Sequence, residues 1–148
     1  MMANRFARLY RDNSILTATP GQLVLMMYDG ALNAMEQARA AFDRPATDFR
    51  RYETIHRQIT KAQRIIAQLN GSLNFEAGGD FPGLMRRLYV YYNRRLHDAN
   101  MTKDPAPILE VEGLLRSVRD AWAEMLRQEV RLPAANAAEV GLPEAVPA

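Results

Sequence analysis

Few residues in this sequence stand in a pattern that could do chemistry. Glu53 and His56 form an E-x-x-H on a helical stretch, the spacing that two helices of a di-iron carboxylate bundle each supply. Such a site needs a second E-x-x-H and two further glutamates on other helices. The other histidine, His97, has Arg94 three positions before it, so the metal-binding bundle is the minor reading and an exposed i,i+3 pair the main one. Cysteine is absent, which excludes thiol nucleophiles, disulfides and Cys-type zinc sites. No Gly-x-Ser-x-Gly elbow occurs, and neither histidine has a Ser and Asp arrangement around it. Gly78-Gly79 lacks the Lys-Ser/Thr or further glycines of a phosphate cradle and reads as a turn into a helix cap. The expectation is a protein with no catalytic residue, no metal and no cofactor.

Arg86, Arg87, Arg94 and Arg95, interleaved with Tyr89, Tyr91 and Tyr92, could present a basic-aromatic surface to nucleic acid. At 100° per residue, however, the arginines fall in one half of the helix wheel and Met85, Leu88, Tyr92 and Leu96 in the other. An amphipathic helix with a solvated arginine face accounts for all of them. The net charge is only +2, with acidic side chains interspersed among the basic ones, so nucleic acid is not an expected partner. Residues 1–10 carry Arg5 and Arg8 without the apolar run of a secretory signal. No window approaches the ~20 apolar residues of a membrane span. A cytoplasmic protein without membrane insertion is expected.

The elements that must carry these residues are helices. No β-branched run alternates at period 2, whereas four segments repeat apolar residues at three and four. The first should open at Thr19-Pro20-Gly21-Gln22, a capping box with proline in the first turn, and bury Leu23, Met27, Ala31, Ala34, Ala38 and Phe42. Arg44-Pro45 should end it. The second, from about Asp48, lines up Tyr52, Ile55, Ile59, Ala62, Ile66 and Leu69, with Gly71 as a left-handed stop. The third, from Asp80, tolerates Pro82 in its first turn and aligns Phe81, Met85, Leu88, Tyr92, Leu96 and Ala99. The fourth, from Asp104-Pro105, aligns Ile108, Val111, Leu115, Val118, Trp122 and Met125, widened by Leu114 and Ala121. Short connections predict an all-α antiparallel four-helix bundle over residues 19–131. Residues 1–18 contain Phe6, Leu9, Tyr10, Ile15 and Leu16, enough apolar surface to lie against the bundle, as a short helix or a cap over a groove. Residues 132–148 are Ala/Pro-rich and read as a disordered tail.

Eight methionines and six tyrosines exceed what one core seam can face, since neighbours such as Met26-Met27 and Tyr91-Tyr92 point about 100° apart. Met and Tyr suit adaptable apolar binding surfaces. The residues alone therefore lead to a helical bundle with an apolar groove.

Several segments resemble one family. Tyr10, followed by Thr17-Ala18-Thr19-Pro20-Gly21-Gln22-Leu23 and Met26-Met27-Tyr28-Asp29-Gly30, is similar to the opening T-A-[ST]-P-x-x-L-x-x-M-L-Y-[DN]-G of the FliS family of flagellar export chaperones. Lys61-Ala62-Gln63-Arg64-Ile65-Ile66 with Leu69 and Ser72-Leu73 resembles its second helix and turn. Gly78-Gly79, Leu88-Tyr89, Tyr91, Arg94-Arg95-Leu96 and Ala99-Asn100 resemble its third helix, and Leu114-Leu115 with Ala121-Trp122 its fourth. Phe81-Pro82-Gly83 and the Ala/Pro tail depart from that pattern.

The resemblance implies a cytoplasmic chaperone that holds the C-terminal segment of newly made flagellin, prevents its premature polymerisation and aids delivery to an export-gate component. Homodimerisation stays open, as does a scaffold role toward another protein. By position in the family pattern, Tyr10 falls near the client, with Ile15 and Leu16 as neighbours. The apolar faces add Ile55, Ile59 and Ile66 on the second helix and Tyr89, Tyr92, Leu96 and Ala99 on the third as candidate client contacts, with burial in the core as their alternative.

Overall fold

The structure, a computed structural model, describes residues 17–129. These form α1 (Pro20–Phe42), α2 (Arg51–Gly71), a 3-10 turn (Phe75–Ala77), α3 (Phe81–Thr102) and α4 (Ala106–Glu129), with no strand among the described residues. Each helix packs on two neighbours: α1 on α2 and α4, and α3 on α2 and α4. Polar pairs show the antiparallel sense. Along α1 and α4, Gly21 meets Trp122, Asp29 meets Arg119 and Arg39 meets Glu112. Along α2 and α3, His56 meets Asn100 and Gln63 meets Asn93. The four-helix bundle expected from the periodicity is the fold.

Helix α1 begins as its sequence demands. The Thr19 hydroxyl accepts from the Gln22 backbone N–H at 3.2 Å, and the Gln22 side chain accepts from the Thr19 N–H at 2.9 Å, with Pro20 in the first turn. Two of the unpaired donors at the helix start are thereby satisfied. Elsewhere the starts sit slightly later than expected. Asp48 forms a turn in which its carboxylate accepts from Arg50 N–H, and α2 starts only at Arg51. Asp104 likewise takes the Ala106 N–H, and α4 starts there. Gly71 is not the left-handed stop. Ser72 satisfies the last turn of α2 through its N–H to Gln68 and its hydroxyl to Leu69 O, so no positive φ is needed. The left-handed positions are Gly78, Gly79 and, after α3, Lys103 at φ 52°.

The core stripe of α2 is the one expected, except that Tyr52 is 57% exposed. That of α1 is turned by about one residue: Val24, Tyr28, Leu32 and Met35 are buried with the alanines, while Leu23 is exposed and Met27 and Phe42 are only partly covered. Ala31, Ala34, Ala38 and Ala41 are at most 1% exposed; side chains this small let α1 approach its neighbours closely. On α3, Tyr89 is buried and Leu88 only partly so. On α4, Leu114 and Ala121 are exposed and do not widen the core; Pro107 and Glu112 are the buried flanks.

Two polar pairs cross this core. Glu112, only 5% exposed, takes both Nε and Nη2 of Arg39, at 2.7 and 3.2 Å. Tyr28 of α1 and Tyr89 of α3 share a buried hydroxyl–hydroxyl hydrogen bond of 2.6 Å. Burial, partly opposed by that bond, pushes the Tyr28 phenol up to about 12; burial also raises Tyr89, reinforced by Tyr28.

Both phenols therefore stay neutral in the fold at a pH where an unfolded chain ionises them, near 10. The folded state then holds more protons than the unfolded one, so stability is intact below about pH 10 and declines above it, by up to about 1.4 kcal/mol per pH unit per tyrosine. The urea midpoint is expected to fall more steeply from pH 9 to 11 in the parent than in a Tyr28→Phe/Tyr89→Phe double variant; equal falls would contradict the buried pair. At neutral pH either single variant should cost about 1–3 kcal/mol, because it strands one buried hydroxyl.

Candidate partner-binding surface

The residues that could meet a partner divide into those inside the closed bundle and those on it. Ile55, Ile59, Ile66, Leu96 and Ala99 are 0% exposed, Tyr92 1% and Tyr89 3%. All seven belong to one continuous apolar core with Val24, Met35 and Ile108. In this conformation they offer a partner no surface; they fix the spacing of the helices that do. Tyr10, Ile15 and Leu16, with the suggested cap over residues 1–18 and the tail, lie outside the described residues, apart from the last two positions of that segment.

Exposed apolar side chains gather instead along the outer side of the α3–α4 contact. Tyr91 donates to Glu110 Oε2 at 2.5 Å, and Arg95 Nε donates to Glu110 Oε1 at 2.7 Å. These bonds fix which edge of each helix faces the other. Leu84 and Leu88 share the Tyr91–Arg95 edge of α3 at helical spacing, and Leu114 and Ala121 share the Glu110 edge of α4. The Phe81 ring stacks on Trp122, centroids 6.4 Å apart. Leu84 and Leu88 thus lie between two cross-links, level with the stretch of α4 from Leu114 to Ala121. Leu84 is 46% exposed, Leu114 42% and Tyr91 37%, with Leu88 and Val118 forming the partly buried floor. The result is an apolar strip about three turns long, closed at one end by the Glu110 ion pair, whose carboxyl is held below the usual range first by the Tyr91 hydroxyl and then by Arg95.

A smaller cleft opens at the end of the bundle where α1 and α3 begin and α2 and α4 end. Val24, Leu69, Leu73, Phe81 and Trp122 line it above the Tyr28–Tyr89 pair, and at about 10 Å³ it has room for roughly one water. Chemistry is not in evidence at the E-x-x-H: Glu53 and His56 are exposed, and His56 Nδ1 accepts from Asn100 on α3 at 2.9 Å. Among the described residues, no group of three or more His, Asp or Glu side chains could hold a metal ion. No helix among them is long and apolar enough to cross a membrane.

Residues 2–129 match the family described as flagellar protein FliS. The chain is 38% identical over 120 residues to the flagellar secretion chaperone FliS of Bacillus subtilis, covering 81% of this chain and 85% of that one. It is 32% identical over 121 residues to the protein of the same name in Salmonella typhimurium, covering 81% and 86%. Against the flagellar secretion chaperone FliSB of Pseudomonas aeruginosa it is 35% identical over 129 residues, covering 82% and 96%.

The division into core and strip has a direct consequence for stability. Ile59→Ala removes a fully buried side chain and should cost about 2–5 kcal/mol in urea denaturation, whereas Leu114→Ser on the exposed strip should change stability by no more than about 0.5 kcal/mol. Comparable losses for the two would show that Leu114 is core and that the strip does not exist as a free surface.

Proposed function

The chain belongs to the FliS family of flagellar proteins, a family of chaperones and not of enzymes, and on that premise we propose that it is a cytoplasmic export chaperone for flagellin. In this reading it binds the disordered C-terminal region of flagellin, keeps that region from polymerising early and aids its delivery to the export apparatus. The observation that carries the reading is the family match over residues 2–129. The physical character of the surface supports it. An amphipathic client helix presents apolar anchors at i, i+3/i+4 and i+7, and the strip of Leu84, Leu88 and Tyr91 facing Leu114 and Ala121 repeats at the same interval.

A client that folds on binding must overcome its own ordering entropy, so it needs a long interface. The strip alone is short for this purpose, and the client would extend over further exposed apolar residues such as Leu23 on α1 and the neighbourhood of Tyr10, Ile15 and Leu16. The buried isoleucines of α2 and the core residues of α3 enter this reading as the support that holds the strip in shape, and become contacts only if the helices part.

Calorimetric titration with a peptide of the last ~40 residues of the cognate flagellin should give saturable 1:1 binding with a negative heat-capacity change, and a scrambled peptide should not bind. A Leu84→Ser/Leu114→Ser double variant should bind at least about tenfold more weakly, a loss of roughly 1.4 kcal/mol, while remaining folded. Absence of binding by the folded parent chain would transfer the function to a different client.

A further inference from the structure

Charge is sorted across this bundle in a way that neither its fold nor a flagellin site on α3 and α4 requires. Arg39, Arg95, Arg119 and Arg127 are each paired with a carboxylate. Of the cations in no ion pair among the described residues, six stand in two rows: Arg57, Lys61 and Arg64 along the exposed side of α2, and Arg86, Arg87 and Arg94 along that of α3. Helices α2 and α3 are adjacent, so the two rows form one face. Glu53 stands at one end of it, and Glu76 and Asp80 at the other. Asp98, the acid nearest α3's row, is held by Arg95. Like charges one turn apart, such as Arg57 and Lys61, destabilise a helix by a few tenths of a kcal/mol. The fold gains nothing from the arrangement.

We propose that the α2–α3 face is a second docking surface, separate from the apolar strip, for an acidic segment of another protein. Charge complementarity selects an anionic occupant, and three features select a protein. Arginine supplies five of the six cations named, and its planar fork matches carboxylates bidentately. Exposed apolar side chains lie among them: Val90 at 47% between Arg87 and Arg94, and Met101 at 71%. Arginine and methionine are enriched in protein interfaces, and lysine is depleted. A single-stranded nucleic acid would need open aromatic faces for its bases. Tyr89 and Tyr92 are buried, the Phe75 ring carries the Arg86 guanidinium 4.4 Å from its centroid, and the exposed Tyr52 ring carries that of Arg51 at 5.3 Å.

The two surfaces use different sides of α3. Tyr91 and Arg95 turn toward α4, whereas Asn93 and Asn100 turn toward α2; Arg86, two turns before Asn93, shares the α2 side, and Arg87 and Arg94 stand between the two sides. A client on the strip and an acidic partner on the basic face can therefore be held at the same time.

The test is fluorescence anisotropy with a labelled helical peptide of Glu, Asp and Leu, about 20 residues and ~30 Å long to match α2 and α3, with duplex DNA and phosphatidylglycerol vesicles as competitors. Saturable peptide binding that weakens as salt rises is expected. It should drop at least about tenfold in an Arg57→Glu/Arg64→Glu/Arg86→Glu variant, whose three positions lie away from Leu84 and Tyr91. An Arg116→Glu/Arg127→Glu variant, altering α4 instead, should bind as the parent does and so separates a face from net charge. If the triple reversal does not fold, the same three positions as glutamine should still lose most of the binding. In the folded α2–α3 variant, affinity for the flagellin peptide should be unchanged. The proposal is overturned by absence of peptide binding at low salt, by equal losses in the α4 variant, by tighter binding of DNA or vesicles than of peptide, or by a parallel loss of flagellin binding. A failure of flagellin binding in the parent chain leaves the peptide result untouched, so the two readings fail separately.

Discussion

Trp122 is where the ring of helices closes. Its indole N–H donates to Gly21 O at 2.9 Å, tying the last turns of α4 to the first turn of α1. The same ring stands edge-on to Tyr28, with centroids 6.0 Å apart, and stacks on Phe81 of α3. One side chain of α4 thus ties together α1 and α3. The close approach at Gly21 permits this: a Cβ built there would stand 2.6 Å from Leu126 Cδ2, so a side chain would have to displace Leu126 before the helix ends could meet. With that end fixed, the Tyr28–Tyr89 bond spans from α1 to α3 across the bundle. The Arg39–Glu112 pair then fixes α1 against α4 further along.

Closure has two consequences for the surface. It withdraws the isoleucines of α2 from solvent, so that the most apolar helix face of the protein belongs to the interior. It also leaves α3 and α4 joined at their outer edges by Tyr91, Arg95 and Glu110 at one end and by the Phe81–Trp122 stack at the other, with leucines exposed between. A rigid interior with an apolar strip on one side suits a chaperone that holds a client without chemistry. The arginines on α2 and α3 give the neighbouring side a different character, so the bundle presents two kinds of surface through one helix.

Most of the fold was legible in the sequence because helical periodicity is strong where a helix buries a single narrow stripe. Ile55, Ile59, Ala62, Ile66 and Leu69 all became core, and the Thr19–Gln22 capping box formed as written. The phase of α1 was not legible. Leu23-Val24-Leu25-Met26-Met27 is an unbroken apolar run, and any of several faces could have turned inward; packing chose Val24 and Tyr28. Periodicity misplaces Leu114 and Ala121 for a related reason: an apolar residue at helical spacing looks the same whether it faces the interior or an exposed strip. Helix spacing could not separate the candidate contacts on α2 and α3 from the core either, because that distinction lives in how the helices meet. The one usable signal for the strip was the excess width of the α4 stripe, together with adjacent tyrosines that could not all face one seam.

In the proposed reading the bundle stays closed and meets its client on the outside of α3 and α4. Methyl NMR with labelled leucine and isoleucine, recorded as flagellin peptide is added, tests it most directly. Large shift changes are expected at Leu84, Leu88 and Leu114, with the methyls of Ile55, Ile59 and Ile66 keeping their free-state shifts and their helix its exchange protection. Large changes at those isoleucines, with loss of protection along α2, would show that the helices part to admit the client, and would contradict it.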